Sequence, residues 1–487
     1  LEKYLFDQGY YQMDEIYDQF NFGHPPVTPV VELLIKKREG LIDPLAADRQ
    51  IEQYKQYDVK RDLGKYYYQS QVRQQYLLNI SGQTGKLNYY LSSGYDKSPG
   101  SLVGDDNNRY SLRSKLSAGL SSKTTASVGL AFTQQLQRSA LNSGYNYYSN
   151  PGFKTYYPYA RFTDDNNNPA SLNLQYRSSF LQWAQSAGLE DWSFSPIGEL
   201  SQTDNKVRTR DMVVSLGLDH EIVPGLKASL LYQYESQLQR TLDWRKEGSF
   251  YARNMVNDFA RFDTDSNLVY MVPQGGVLNS YLREIESHQG RAQLTFHKNW
   301  GEHSVDAIGG WEIRTKTGNY NANTQYGYRP ENGSVIGTVD YMNRYPLLSN
   351  PFNQLQIATV NEVGYTTDHF LSYFANAGYT FKNRYVFSGS IRKDEANLFG
   401  VDANKKGMPF WSAGFAWYLN QEKFYHSTIA PLLKFRITYG INGNLPAGVT
   451  AYTTGIYRNS YTTNYENMVI ENPPNANLSW EKTAVIN

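Results

Sequence analysis

The sequence predicts an all-β chain folded as a large antiparallel transmembrane β-barrel. Three observations predict it: strands with unlike faces, short turns that alternate with long loops, and many aromatic but few charged residues. Of 487 residues, aromatics make up 15% and charged residues 19%, with 42 Tyr against 22 Phe and 8 Trp. An average soluble domain carries about 25% charged residues. Mean hydropathy is −0.60, so the chain is polar overall despite its rings. That balance suits a wall with one apolar and one wet face, banded by aromatic girdles. A β-sandwich or propeller would share this composition, so composition alone does not decide. No stretch approaches the ~20 apolar residues of a transmembrane helix, and the run Val30–Ile35 is far too short. Any crossing is therefore made by strands.

Period two carries the strand assignment. Leu87, Tyr89, Leu91 and Tyr95 alternate with Asn88, Tyr90, Ser92 and Gly94. Tyr110, Leu112, Leu116 and Ala118 oppose Arg109, Ser111, Arg113, Lys115 and Ser117. Leu130 and Phe132 follow after a turn at 121–124, then Leu216 and Leu218 answered by Leu230 and Tyr232 across Pro224-Gly225. Later pairs turn at Gly301 and at Lys382-Asn383, and Phe415 and Trp417 are answered by Phe435 and Ile437. This reading gives about twelve strands, with another beginning near Leu478.

The connections decide between architectures. Tight turns at 83–86, 121–124, 220–225, 300–303 and 382–383 alternate with long segments at 96–108, 137–207, 240–289, 318–368, 394–409 and 444–477. One connection, 421–431, is a longer exception in the tight set. Up-and-down barrels join strands by short periplasmic turns and long external loops; a sandwich has no reason to keep its long loops at one end. Leu112, Leu116, Leu130, Phe132, Leu216, Leu230, Phe415, Trp417, Phe435 and Ile437 are therefore expected to face lipid. Arg113 and Lys115 are expected to face the lumen, since a mid-bilayer charge on the lipid side costs roughly 2–4 kcal/mol.

Residues 1–70 read differently. Val30–Arg38 and Asp48–Asp62 are charged and helically spaced, with Gly40 and Pro44 between them. They predict an external loop region with short helices, ahead of barrel strands and loops over 71–487. The chain begins at Leu1 without a signal sequence and ends within a strand pattern, the expectation for a fragment.

Little points to bond chemistry. Net charge is +1 and cysteine is absent, giving no basis for a nucleic-acid partner and excluding disulfides and thiolate metal sites. The seven His residues are scattered without metal-ligand spacing, so no metal site is assigned. Asp263, Asp265 and Asn267 resemble the start of a calcium loop but lack its glycine and closing Glu; a loosely bound external calcium is the one cofactor they admit. Glu199 and Asp204 are the sort of acid pair a barrel hydrolase would use, but such pairs arise by chance among 46 acids. No catalytic residue is assigned. Tyr-rich loops, among them Tyr147, Tyr157 and Tyr328, offer rings with hydroxyls for sugar or peptide, or pack the loops together. With Arg113 and Lys115 these three are the substrate-binding candidates.

Several stretches resemble the SusC-like branch of the TonB-dependent outer-membrane transporters. They are LLNISGQTGKLNYYLSSGY from Leu77, RYSLRS from Arg109, SIRKDEANLFG from Ser390, PFWSAGFAW from Pro409, LKFRITYGINGN from Leu433 and NPPNANLSWEK from Asn472. Asp394, Glu395 and Ala396 stand where the family commonly has Asp-Gly-Ser or Asp-Ala-Ser, and Ala476 where it often has Pro. The resemblance runs from about Gln71 to the end and marks the family rather than a substrate. It implies a 22-stranded barrel, an N-terminal plug, a TonB-interacting segment upstream and a SusD-like surface lipoprotein lid, in dimers of such pairs. The implied function is energy-coupled import of an oligomeric nutrient, glycan or peptide; the alternative is a non-transporting structural subunit of a larger outer-membrane complex.

Overall fold

The computed structural model describes residues 1–139, 156–331, 333–335, 337–397, 407–444, 452–460, 462–463, 465–473 and 481–487. Thirteen strands follow one another in chain order across one sheet. They are β1 (Gln74–Thr84), β2 (Leu87–Lys97), β3 (Asp106–Gly119), β4 (Thr124–Ser139), β5 (Thr203–Val223), β6 (Leu226–Arg245) and β7 (Gly276–Trp300). The series continues with β8 (His303–Arg329), β9 (Asn361–Phe381), β10 (Tyr385–Ala396), β11 (Gly407–Tyr418), β12 (Lys434–Asn444) and β13 (Glu481–Ile486). Each pairs antiparallel with the next, as an up-and-down wall requires. Among the described residues β1 pairs only with β2, and β13 only with β12. The strand expected near Leu478 is seen from Glu481, residues 474–480 lying outside the described part.

Turn chemistry explains the tight end. Lys382 and Asn383 both take positive φ, 55° each, the mirror-image turn whose twist matches the flanking strands. Gly225 sits at φ +86° with the His297 carbonyl 2.2 Å from where a Cβ would stand, so no other residue fits that corner. Glu422 fastens the longer turn after β11, accepting from Arg384 (2.8 Å), the Tyr385 hydroxyl (2.6 Å) and the Trp417 indole (3.0 Å).

The register separates two faces. All ten residues expected to meet lipid fall on one face, for example Leu112 opposite Phe132, Leu116 opposite Val128 and on to Leu216, and Phe415 opposite Ile437. Ring rows bound that face at both ends. At the long-loop end Tyr95 stacks on Tyr76 and Tyr110, with centroids 6.3 and 4.7 Å apart. At the short-turn end His303 stacks on Trp300 at 5.5 Å, and Tyr385 stacks on Trp417 at 6.2 Å.

Strand lengths correct the loop boundaries. β7 and β8 run for 25 and 27 residues, into segments 240–289 and 318–368 that the sequence reads as loop. Beyond the bilayer both faces meet water, so the period-two contrast fades although the ladder continues.

The N-terminal region is helical as expected: α1 (Glu2–Asp7), α2 (Gln12–Gln19), α3 (Pro29–Arg38), α4 (Pro44–Tyr54) and α5 (Val59–Tyr66). Pro29 and Pro44 open their helices where a missing N–H costs nothing. The expected 48–62 helix is split because Asp58 starts a new one, its carboxylate accepting from the Lys60 amide at 2.9 Å. Three further helices rise from the long loops: α6 (Ser178–Ser186), α7 (Pro196–Ser201) and α8 (Phe250–Asp258).

Together these elements build a packed cap at the long-loop end. Its main core joins Leu63 and Tyr67 of the N-terminal region to Phe162, Leu174 and Trp192 of the β4–β5 loop and Phe250 of α8. Polar anchors fix α8. Asn257, fully buried, accepts from the Glu190 amide at 3.0 Å and donates to the Glu190 carbonyl at 2.9 Å. Asp258 accepts from the amide and hydroxyl of Ser349 and from Tyr176. Burial pushes the Asp258 carboxyl above its ordinary value, against those donors.

A second anchor ties α2 to the cap. Asp18 bonds His24 Nδ1 at 2.8 Å and accepts from Arg177 at 3.2 Å, while His24 stacks on Phe180 at 4.0 Å. Burial opposes ionisation of Asp18, but His24 and Arg177 outweigh it and hold the carboxyl below its ordinary 3.8. A lowered folded value contributes stability at higher pH that is lost as pH falls through it. Hydrogen-exchange protection over residues 12–24, taken relative to the intrinsic rate at each pH, is therefore expected to hold above 3.8 and to fall as pH drops below it. A loss of protection already complete well above 3.8 would show that Asp18 does not hold this segment.

Candidate functional site

The face opposite those ten apolar residues is the polar side of the wall, the side expected to be wet. Arg113 and Lys115 lie on it, both exposed, on β3. One register row runs from Lys115 through Gly129, Ser215, Gln233 and Gln289 to Arg314 and Phe370. Small, hydroxyl and amide side chains thus separate two cations. Neither Arg113 nor Lys115 makes an ion pair with a described residue.

The structure adds a constellation that strand patterning did not single out. On β7 to β10, three guanidiniums sit among two phenyl rings of this polar side. Arg291 lies 4.6 Å over the Phe374 ring, and Arg314 lies 4.6 Å over that of Phe370. Arg392 donates to Asp394 at 2.7 Å and to Ser372 at 3.0 Å. Arg291 also reaches Glu312 at 3.9 Å. A ring face holds a guanidinium without occupying its donors, so Arg314 keeps its fork free for a passing carbonyl, hydroxyl or carboxylate. The sequence signal was an arginine on the polar side of β7, β8 and β10; which rings would lie beneath them depends on register.

The tyrosine candidates part company. Tyr147 lies outside the described residues. Tyr157 packs against the main cap core, its ring 4.8 Å from that of Tyr159. Burial raises its phenol pKa, with Tyr54, Glu32 and Glu2 adding to the effect. It is held in the cap packing rather than offered to the lumen. Tyr328 follows a bulge: Tyr326 pairs with Val277, but Tyr328 pairs with Gly276, leaving Gly327 extra at φ +69°. The extra residue reverses the face. Tyr326 is buried in the second cap core, while Tyr328 stands edge-on to Trp244 on the outer face at 5.9 Å. A bulge has no period-two signature, so the sequence could not give this reversal.

The acids singled out earlier have structural partners. Glu199 accepts from the Phe250 amide at 2.7 Å, at the start of α8, while Asp204 pairs with Lys206. Asp263 accepts from the amides of Asp265 (2.9 Å) and Asn267 (2.8 Å) and from the Asn267 side chain (3.1 Å). Asp164 makes the same three contacts with Asn166 and Asn168. Both are hairpin tips tied by their own carboxylate. Among the described residues no group of three or more His, Cys, Asp or Glu gathers as a metal site.

Similarity to known proteins follows the wall. No family profile matches the chain. A TonB-dependent receptor of Formosa agariphila is 23% identical over 427 residues, 85% of this chain and 35% of that protein. The TonB-dependent receptor SusC of Bacteroides thetaiotaomicron is 22% identical over 319 residues, 61% of this chain and 27% of that one. The structure of the RagAB peptide transporter superposes with a TM-score of 0.64 at 16% identity, covering 87% of this chain and 42% of that one. The chain thus spans about a third of the length of the first of these relatives. Motifs, register and fold are thus similar to those of SusC-like TonB-dependent receptors, and the described strands have the fold of a stretch of outer-membrane β-barrel wall with its long loops gathered at one end.

Proposed function

We propose that the chain forms much of the wall and cap of an energy-coupled importer of an oligomeric nutrient, glycan or peptide. The observation that carries this reading is the two-faced wall, apolar on one side and lined on the other with amides, hydroxyls and ring-supported arginines. Such a wall conducts cargo past a lumen that it does not react with. Arg113, Lys115 and Arg314 are the groups through which it would engage cargo.

In this reading a SusD-like lipoprotein closes over the cap from outside, and TonB supplies the energy through a segment of the full-length protein. A dimer of such pairs is its assembly. No cofactor takes part; a calcium ion at Asp263 would have to displace three N–H donors, and heat evolved on titrating the protein with calcium chloride would establish one. The test of import is uptake by cells carrying the full-length protein. Deleting its TonB-binding segment is expected to abolish uptake of the nutrient while the barrel still assembles. Unchanged uptake, with loss of a larger complex when the barrel is removed, would instead assign it a structural role.

A further inference from the structure

We propose that Arg138, Lys206, Arg208, Arg210 and Arg240 form a surface on the outer side of the barrel that binds phosphate-bearing lipid headgroups of the outer leaflet. These residues share the face of Phe132, Met212 and Leu230. They sit on three adjacent strands, β4, β5 and β6, at the long-loop end, which is external in barrels of this kind.

Their level follows from strand geometry. On β5 the outward residues from Ile222 to Met212 are ten residues apart. At about 3.4 Å each and a tilt of about 40°, that is roughly 26 Å along the membrane normal, matching an apolar band of ~25 Å. Arg210 is the next outward residue, and its register row passes through Gln134 to Tyr110 of the outer ring row. Cations therefore begin where acyl chains give way to headgroups.

Their pairing calls for an anion. Arg208 stands directly opposite Arg240, and Arg138 opposite Lys206. Like charges in such pairs repel. The acids near them are few. Asp204 takes Lys206, Asp106 lies opposite Arg138, and on β7 Glu284 lies opposite Leu238, diagonal to Arg240, while Glu286 accepts from Tyr234 at 3.1 Å. Arg208, Arg210 and Arg240 are exposed, and none forms an ion pair with a described residue. Arg210 donates to Gln134 at 3.1 Å. A phosphate bridging Arg208 and Arg240 would turn repulsion into two charge-assisted contacts, and guanidinium forks suit phosphate oxygens.

The test uses the full-length protein in nanodiscs. With diphosphorylated lipid A in the discs the wild type is expected to melt higher than in phosphatidylcholine, and this difference is expected to shrink at high salt. In the triple variant Arg208→Gln, Arg210→Gln, Arg240→Gln it should vanish, and lipid A retained through detergent purification should fall roughly fivefold per arginine. Lys123→Gln, at the opposite end of β4, removes a charge as a control and is expected to retain lipid as the wild type does. If the triple variant does not assemble, Arg240→Gln alone carries the same test at roughly fivefold. Equal lipid retention in variant and wild type would overturn the proposal. So would an equal stabilisation by inorganic phosphate in phosphatidylcholine discs, which would mark a simple ion site. Loss of a co-purifying protein with lipid retention unchanged would assign the surface to a protein partner and overturn it too.

Discussion

Leu230→Arg is expected to destabilise the assembled barrel by roughly 2–4 kcal/mol, whereas Gln233→Arg three residues along the same strand should be tolerated. Leu230 is 57% exposed on the outer face and lies opposite Leu218 and Ala292, in the middle of the apolar band. A guanidinium there has no water and no partner within reach. Gln233 projects to the other side, between Ser215 and Gln289, where an arginine meets water and amides. Folding of the full-length protein into vesicles, followed by denaturant titration and heat-modifiable migration, reads both. If the two variants lose equal stability, the assignment of lipid and lumen faces is wrong. The control is close because both residues lie within three positions on one strand and face opposite sides.

Phe162→Ala is the second large effect, about 3–5 kcal/mol taken from the cap. Phe162 is 0% exposed and lies against Tyr67 at 5.3 Å and Tyr156 at 5.1 Å. It joins the N-terminal helical region to the β4–β5 loop. The wall's ladder does not run through Phe162, so the loss should be local. Limited proteolysis is expected to cut the variant rapidly within 156–201 and 1–67 while the barrel keeps its heat-modifiable migration. A cap that resists protease as the wild type does would show that this core does not hold the two segments together.

The wall was legible because a bilayer imposes a strong rule. Leu112 and Arg113 are neighbours in sequence, and only one arrangement leaves the first in lipid and the second in water. Every strand that obeys this rule announces itself, and the turns at Pro224-Gly225 and Lys382-Asn383 fix the pairing. Outside the bilayer the rule lapses. The upper halves of β7 and β8 alternate among polar residues such as Asn279, Ser280, Asn321 and Thr324, so nothing in the pattern marks them as strand. The cap helices α6 to α8 were hidden differently: each is at most 9 residues long, and contacts distant in sequence stabilise them. Asn257 and Glu190, 67 residues apart, form such a contact. The arginine and phenylalanine strip was half legible. Each member's face followed from parity, but the stacking of Arg314 on Phe370 needs the register of two strands joined by a 31-residue connection. Tyr328, read from the sequence as part of a Tyr-rich loop, lies in β8 with one inserted glycine before it.

The 27-residue ladder of β8 bears on the proposed import. At about 3.4 Å per residue and a tilt of about 40°, it rises roughly 70 Å. The acyl layer uses about 25 Å of that, so hydrogen-bonded sheet stands far out into the medium like one side of a chimney. On the proposed import reading, an oligomer would pass along this stiff panel before reaching the depth of the lipids. Whatever hinges during capture must then lie in the loops around the panel, because bending β8 itself would break rungs shared with both neighbours.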